Sequence, residues 1–139
     1  MIDLHIHTVA TPHHASWEPE ALAAAAAARG MTAIAAADHN TTASVRALQE
    51  AGRRHGVRVV SGVELDSAFG GKLWHTLVYG ADPEAPALLA LCAAVAERNA
   101  ADARRLIAEL PARGFRLEGL DGLGRAPNVA EVATALARQ

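Results

Sequence analysis

The feature that most constrains this chain is a series of short apolar segments that each carry or lead into a side chain of the metal-binding type. The sequence has 139 residues and seven histidines, five of which fall within the first 40 positions. Residues 3–7 alternate polar and aliphatic side chains, which predicts a strand with its histidines on one face. The segments 31–37, 57–63 and 73–79 are predicted strands too. The polar residues at these four segments are His5, His7, Asp38, His39, Glu64 and His75.

Helical patterns separate most of the predicted strands. Helices are predicted over about 18–29, 88–110 and 129–137. A further helix is predicted to be capped by Thr41 or Thr42 and to end near Gly56. Phe69–Gly70–Gly71 predicts a turn, and 114–127 is predicted to be irregular because it contains four glycines. Strands that alternate with helices predict parallel βαβ units, so we expect an α/β fold with about four parallel-type strands in one domain over 1–139.

Functional residues of parallel α/β sheets gather at the carboxyl ends of the strands. The polar residues named above are therefore expected to meet at one edge. Imidazole and carboxylate ligands together suit zinc, manganese or iron. His5 and His7 share one strand face and can hold one ion, Glu64 can bridge two ions, and His75 can complete a second centre. Asp38 and His39 reach a third ion if the strand ends before them, and Asp3 is expected to orient an imidazole.

The composition excludes several classes of function. The net charge is −2 and the sequence pI is about 6.4, which argues against a dedicated nucleic-acid surface. The lone cysteine, Cys92, excludes an intramolecular disulfide framework and is expected in the core. No apolar run is long enough for a membrane span, and the N-terminus lacks a signal-peptide pattern, so a cytoplasmic location without membrane contact is expected.

Four motifs resemble those of the PHP (polymerase and histidinol phosphatase) family, and they occur in the order of that family. They are Asp3-Leu4-His5-Ile6-His7-Thr8, Ala37-Asp38-His39-Asn40-Thr41, Gly62-Val63-Glu64 and Trp74-His75-Thr76-Leu77-Val78-Tyr79-Gly80. The resemblance implies a distorted (β/α)7 barrel, two or three divalent metal ions (zinc, manganese or iron) and hydrolysis of phosphoesters.

The resemblance also implies roles for individual residues. His5, His7 and Glu64 would hold the first metal, Glu64 and His75 the second, and His39 with Asp38 the third. These six residues are accordingly predicted as both the metal ligands and the catalytic residues. Clustered divalent ions lower the pKa of a bound water from about 15.7 to near 7 and neutralise charge on a phosphoryl group. The expected partner is a small phosphorylated substrate such as a nucleotide or oligonucleotide.

The chain departs from the family in three places. Thr11–Pro12–His13–His14 stands where many members have an acid, and His13 or His14 is a candidate substitute. No histidine follows His75, and Asn128 stands where the family often has one. We therefore expect an incomplete barrel, the N-terminal part of the family fold.

Two hypotheses remain open. The first is a metal-dependent phosphoesterase. The second is a truncated or degenerate domain that binds metal and serves as a structural or interaction module, with a homodimer covering its exposed sheet edges. An amidohydrolase-like activity and a polymerase-linked role are disfavoured.

Overall fold

The computed structural model describes residues 1–120, 123 and 125–137, and it confirms the predicted α/β class. Two compact units are present, Met1–Ala93 and Ala94–Gln139. Each unit is described by itself, and the expectation of a single domain stays a prediction. All the predicted site residues belong to the first unit.

A parallel three-stranded sheet forms the frame of the first unit. Its strands are β1 (Ile2–Ile6), β2 (Ala33–Ala36) and β3 (Arg58–Val59), in the order β1-β2-β3. Helix α1 (Pro19–Ala28) connects β1 to β2, and α2 (Val45–His55) connects β2 to β3. Both connections are βαβ crossovers, as the alternation of strands and helices predicts.

Small side chains let the two helices and the sheet pack closely. A buried cluster joins residues from α1, β2 and α2, namely Leu22, Ala23, Ala26, Ile34, Ala36, Leu48 and Ala51, with Val57 beside β3. Gly52 is required at its position, because a Cβ atom there would lie 2.5 Å from Val59 Cγ2 and 2.6 Å from the Val57 carbonyl oxygen. The alanine-rich composition is therefore a condition for this packing.

A β-hairpin follows the parallel sheet. Strands β4 (Gly62–Phe69) and β5 (Lys72–Tyr79) pair antiparallel. The predicted turn is confirmed, since Gly70 and Gly71 have φ angles of 59° and 74° and a tight hairpin turn favours positive φ at both central residues.

The hairpin differs from the expected strand pattern in two ways. The predicted strand 57–63 is divided between β3 and β4. Segment 73–79 runs antiparallel to its neighbour, because a two-residue turn is too short for a parallel crossover. A single parallel bridge joins His39, beyond β2, to Glu64 in β4. The strands of the described residues do not close into a barrel.

Helix α2 begins later than predicted. The hydroxyl of Thr42 donates a 2.7 Å hydrogen bond to the Pro83 carbonyl oxygen, and Thr41 Oγ1 accepts one from the backbone N–H of Ala43. Ser44 occupies the N-cap position, but its hydroxyl donates to Asp38. Thr42 therefore makes a tertiary contact and Thr41 stabilises a turn, and neither caps the helix, which begins at Val45.

The long helix α3 (Pro86–Glu109) spans the boundary between the two units. In the first unit, Cys92 is buried with Val63 and Leu65, which confirms its place in a core. The second unit contains the rest of α3, a short 3₁₀ turn (Pro111–Arg113) and α4 (Val129–Ala137). Part of the predicted irregular segment 114–127, at positions 121, 122 and 124, lies outside the described residues.

A helix that crosses a bilayer needs about 20 mostly apolar residues. None of the helices within the described residues combines that length with enough apolar character.

Candidate metal centre

Backbone hydrogen bonds place the residues after β2 directly beside β4. The N–H of Glu64 donates to the Asp38 carbonyl oxygen at 3.1 Å, and the N–H of Asn40 donates to the Glu64 carbonyl oxygen at 2.8 Å. These bonds fix the register of the bridge between His39 and Glu64. The side chains of both residues consequently reach the same edge of the fold.

Strand β5 approaches the same edge from the other side. The hydroxyl of Tyr79, at the end of β5, donates a 2.8 Å hydrogen bond to the carbonyl oxygen of Leu4 in β1. This contact joins the strand that carries His75 to the strand that carries His5.

Four imidazoles surround the carboxylate of Glu64, whose side chain is only 2% exposed. His5 Nε2 lies 3.0 Å from Glu64 Oε2, and His75 Nδ1 lies 2.8 Å from Oε1. His7 Nε2 and His39 Nε2 lie 3.4 and 3.3 Å from Oε2. We call these five residues the Glu64 cluster. The structure thus brings together five of the six residues that the sequence predicts for the site.

Burial and neighbouring charges act in opposite directions on the cluster. Burial favours the protonated form of Glu64, but the hydrogen bond from His5 and the charges of His39, His5 and His75 outweigh it and lower the pKa of Glu64. Burial and the nearby His39 lower the pKa of His7. Glu64 is therefore an anion and His7 a neutral imidazole near pH 7, which are the protonation states that ligate metal.

The donor atoms of the cluster fit divalent metal ions. Two groups have potential ligand atoms within 4.8 Å of one another: His5, His7 and Glu64, and His39, Glu64 and His75. The Nδ1 atom of His7 is buried without a hydrogen-bond partner in the described part of the chain. A buried polar atom of this kind is costly unless it has a partner. It is not the nitrogen that faces Glu64, so the fit to a metal ion rests on the two groups of donor atoms.

A third group contains His14, one of the two histidines whose role the sequence leaves open. The potential ligand atoms of His7, His14 and His39 also lie within 4.8 Å of one another. The ring centroid of His14 lies 4.9 Å from that of His7 and 5.0 Å from that of His39. The ring of His13 is farther from His39, at 5.8 Å. His14 therefore occupies the better position for a third ion.

Asp38 has surroundings of a different kind. Its Oδ1 accepts hydrogen bonds from the Thr8 N–H at 2.7 Å and the Thr11 hydroxyl at 2.9 Å. Its Oδ2 accepts from the hydroxyls of Thr8 and Ser44. Asp38 is absent from the three groups above, which comprise all the candidate metal groups found in the described residues. Its predicted role as a ligand stays a prediction, and the geometry favours a structural role.

Two polar residues of the site, Asp66 and Asn40, are not among the site residues that the sequence predicts. Asp66 Oδ1 lies 3.0 Å from His39 Nδ1, and this hydrogen bond raises the pKa of His39. Asn40 donates from Nδ2 to Asp66 Oδ2 at 2.7 Å. The available signal was the spacing of Glu64 and Asp66, which share a face if the strand continues past Glu64. Asp3 accepts a hydrogen bond from the backbone N–H of His5, rather than orienting an imidazole as expected.

The sequence is similar to those of two named bacterial proteins. The chain is 34% identical to a phosphoribosyl 1,2-cyclic phosphate 1,2-diphosphodiesterase of Eggerthella lenta, over 99% of this chain and 51% of that protein. It is 32% identical to a 3',5'-nucleoside bisphosphate phosphatase of Chromobacterium violaceum, over 82% of this chain and 39% of that protein. The chain therefore spans about half the length, or less, of these relatives.

The fold is also similar to a solved structure. An amidohydrolase from Chromobacterium violaceum, with bound sulfate and no metal, matches with a TM-score of 0.78 and 31% sequence identity. The match covers 99% of this chain and 48% of that protein. The family model described as the PHP domain matches residues 3–111, which include the whole Glu64 cluster. The chain therefore belongs to the PHP domain family.

Proposed function

We propose that this chain is a metal-dependent phosphoesterase that acts on a small phosphorylated substrate such as a nucleotide. The observation that carries the proposal is the convergence of four imidazoles on the buried carboxylate of Glu64. Relatives named as a cyclic-phosphate diphosphodiesterase and a nucleoside bisphosphate phosphatase support this reaction class.

The residues suggest how the ions would be divided. His5, His7 and Glu64 would hold one ion, and His39, Glu64 and His75 a second, so Glu64 would bridge both. His7, His14 and His39 would hold a third. Zinc, manganese and iron all suit this mixture of imidazole and carboxylate. Bound there, such ions would lower the pKa of a coordinated water and neutralise the charge of a phosphoryl group.

The exposure of the side chains suggests where the substrate would bind. The side chains of His5 and His75 are each 47% exposed, whereas those of Glu64 and His39 are 2% and 9% exposed. A substrate would therefore approach past His5 and His75. Glu64 and His39 would hold the buried side of the site rigid and exclude water from it.

A hydrolysis assay tests the proposal. Nucleoside 3',5'-bisphosphates, a cyclic phosphate and a generic phosphodiester would be incubated with the full chain and Mn²⁺ or Zn²⁺, with phosphate release or diester cleavage as the readout. We expect hydrolysis of at least one substrate, its loss with a chelator and its loss in His7→Ala.

The matched control is His55→Ala. His55 lies at the end of α2, where it pairs with Glu20 at 2.7 Å and contributes nothing to the Glu64 cluster. This variant should retain full activity. A metal-loaded wild-type chain that hydrolyses none of the substrates would contradict the proposal.

A second candidate is a metal-binding module without catalytic activity. The chain spans only 51% and 39% of the two relatives, and its seven histidines all lie at or before His75. This candidate predicts metal binding by the full chain without hydrolysis under any metal. The assay above, combined with a metal titration, separates the two functions.

We further propose that a second copy of the chain covers the exposed hairpin. The side chains of Phe69 and Trp74, which share one face of the hairpin, are 81% and 54% exposed, and exposed apolar side chains of this kind often form interfaces. Sedimentation of the full chain should show a dimer that Trp74→Ser weakens, and a monomer at high concentration would contradict this. The cytoplasmic location remains a prediction for cell fractionation.

A further inference from the structure

Asp66 lies two residues beyond Glu64 in β4, and its side chain is 15% exposed. Its two carboxylate oxygens have different partners. Oδ1 lies 3.0 Å from His39 Nδ1, and Oδ2 accepts a 2.7 Å hydrogen bond from Asn40 Nδ2. Oδ1 also lies 3.7 Å from His75 Nε2, which is a longer contact than the one to His39. The carboxylate is thus held mainly between the amide of Asn40 and the ring of His39.

The two ring nitrogens of His39 face different carboxylates. Nδ1 faces Asp66, and Nε2 lies 3.3 Å from Glu64 Oε2, within the Glu64 cluster. A neutral imidazole carries one N–H, so donation from Nδ1 to Asp66 leaves the lone pair of Nε2 free for a ligand. A hydrogen bond of this kind fixes the tautomer and the orientation of histidines that bind metal.

Asn40 holds Asp66 by two contacts. In addition to the bond from its Nδ2, its Oδ1 accepts a 3.0 Å hydrogen bond from the backbone N–H of Asp66. Asn40 has a positive φ of 53°, a conformation that asparagine tolerates better than most residues. The backbone conformation and the side-chain amide of Asn40 therefore act together to fix the position of the Asp66 carboxylate.

We propose that Asp66, held by Asn40, is a positioning residue that keeps His39 in the Nδ1–H tautomer with Nε2 directed at the metal-binding space of the Glu64 cluster. The inference rests on the metal-binding function proposed above. Asp66 acts through His39, and its removal is expected to leave the fold intact while it weakens binding at the groups that contain His39. The preserved contacts of Glu64 with His5 and His75 would maintain the rest of the cluster.

Two measurements test this role. The first records the ¹⁵N shifts of the His39 ring in the chelated protein at a pH above the raised pKa of His39, where the ring is neutral and the shifts report which nitrogen carries the proton. Wild type should show the Nδ1–H tautomer, and Asp66→Ala should shift the population toward Nε2–H. The second titrates Mn²⁺ or Zn²⁺ calorimetrically. Asp66→Ala should weaken binding by roughly 10- to 100-fold, and Asp66→Asn, which keeps an oxygen acceptor, by less.

The controls separate this inference from the proposed function. Asp82→Ala removes an exposed carboxylate that pairs with Arg46 and should change neither readout. If Asp66→Ala does not fold, Asp66→Asn carries both measurements. A wild-type chain that binds no metal would contradict the proposed function. A wild-type chain that binds metal, with unchanged His39 shifts or unchanged affinity in the variants, would overturn the role of Asp66.

Discussion

Asp38 and Glu64 are two carboxylates at the same edge of the fold, and the protein surrounds them with different groups. Each residue is 1% exposed, and a backbone hydrogen bond joins them directly. Asp38 accepts its hydrogen bonds from hydroxyls and one backbone N–H. Glu64 is surrounded by imidazoles. The same chemical group therefore has two uses at one edge of the fold.

The two carboxylates differ in whether the groups around them have further atoms that can bind a ligand. A threonine or serine hydroxyl that donates to Asp38 satisfies the buried charge, and the result is a rigid connection between the loop after β1 and the start of α2. An imidazole beside Glu64 has a second nitrogen, and in His7 this nitrogen is buried without a partner among the described residues. The carboxylate of Asp38 already has its hydrogen-bond donors, whereas the imidazoles around Glu64 offer groups of ligand atoms within 4.8 Å of one another, which suits a cation.

The largest effect on stability is expected from Asp38→Ala. The substitution leaves the buried donors of Thr8, Thr11 and Ser44 without their acceptor, and hydrogen bonds to a charged group are worth about 1.5–3 kcal/mol each, without full additivity. We expect the free energy of unfolding to fall by about 3–5 kcal/mol in urea denaturation with a chelator present. Asp102→Ala, which removes an exposed partner of Arg105, should change it by less than about 0.5 kcal/mol. Equal effects of the two variants would contradict the structural role of Asp38.

Glu64→Gln should mainly affect metal binding. The amide has one acceptor oxygen and no charge, so it cannot bridge two ions as the carboxylate is proposed to do. We expect metal affinity to fall by at least about 100-fold, or about 2.8 kcal/mol, in calorimetric titration. Glu84→Gln is the matched control, because Glu84 is exposed and pairs with Arg46. Retained affinity in Glu64→Gln would show that the cluster is not the metal site.

Thr11→Val is expected to lower the free energy of unfolding by less than Asp38→Ala does. The Thr11 hydroxyl donates to Asp38 and accepts from the backbone N–H of His39, so it connects the two carboxylate environments. Valine keeps the shape and removes both hydrogen bonds. We expect a loss of about 2 kcal/mol in the free energy of unfolding, measured in urea with a chelator. An unchanged midpoint of unfolding would argue against this connection.

The sequence predicts the metal-binding surroundings of Glu64 better than the structural surroundings of Asp38. His5, His7, Glu64 and His75 each lie in or next to a predicted strand, and the convergence of strand ends is a general property of α/β folds. The partners of Asp38 lie up to 30 residues away in sequence, so only the fold reveals that hydroxyls occupy its oxygens. The sequence shows only an acid next to a histidine.

A related reason applies to Asp66. The apolar pattern predicts a strand only as far as Val63, whereas β4 continues to Phe69, so the alternation that places Asp66 on the same face as Glu64 lies beyond the predicted strand. The start of α2 differs from the prediction because the acceptor of the Thr42 hydroxyl, the Pro83 carbonyl oxygen, comes from a distant loop. The extent of β4 and the start of α2 both depend on tertiary contacts, which local propensity does not reveal.

Anomalous diffraction from crystals of the full chain grown with Mn²⁺ tests the central claim most directly. The account predicts an anomalous peak within coordination distance of Glu64 and at least two of His5, His7, His39 and His75, with Asp38 still bound to its hydroxyl donors. A peak coordinated by Asp38 in place of Glu64, or manganese found only away from the cluster, would contradict it.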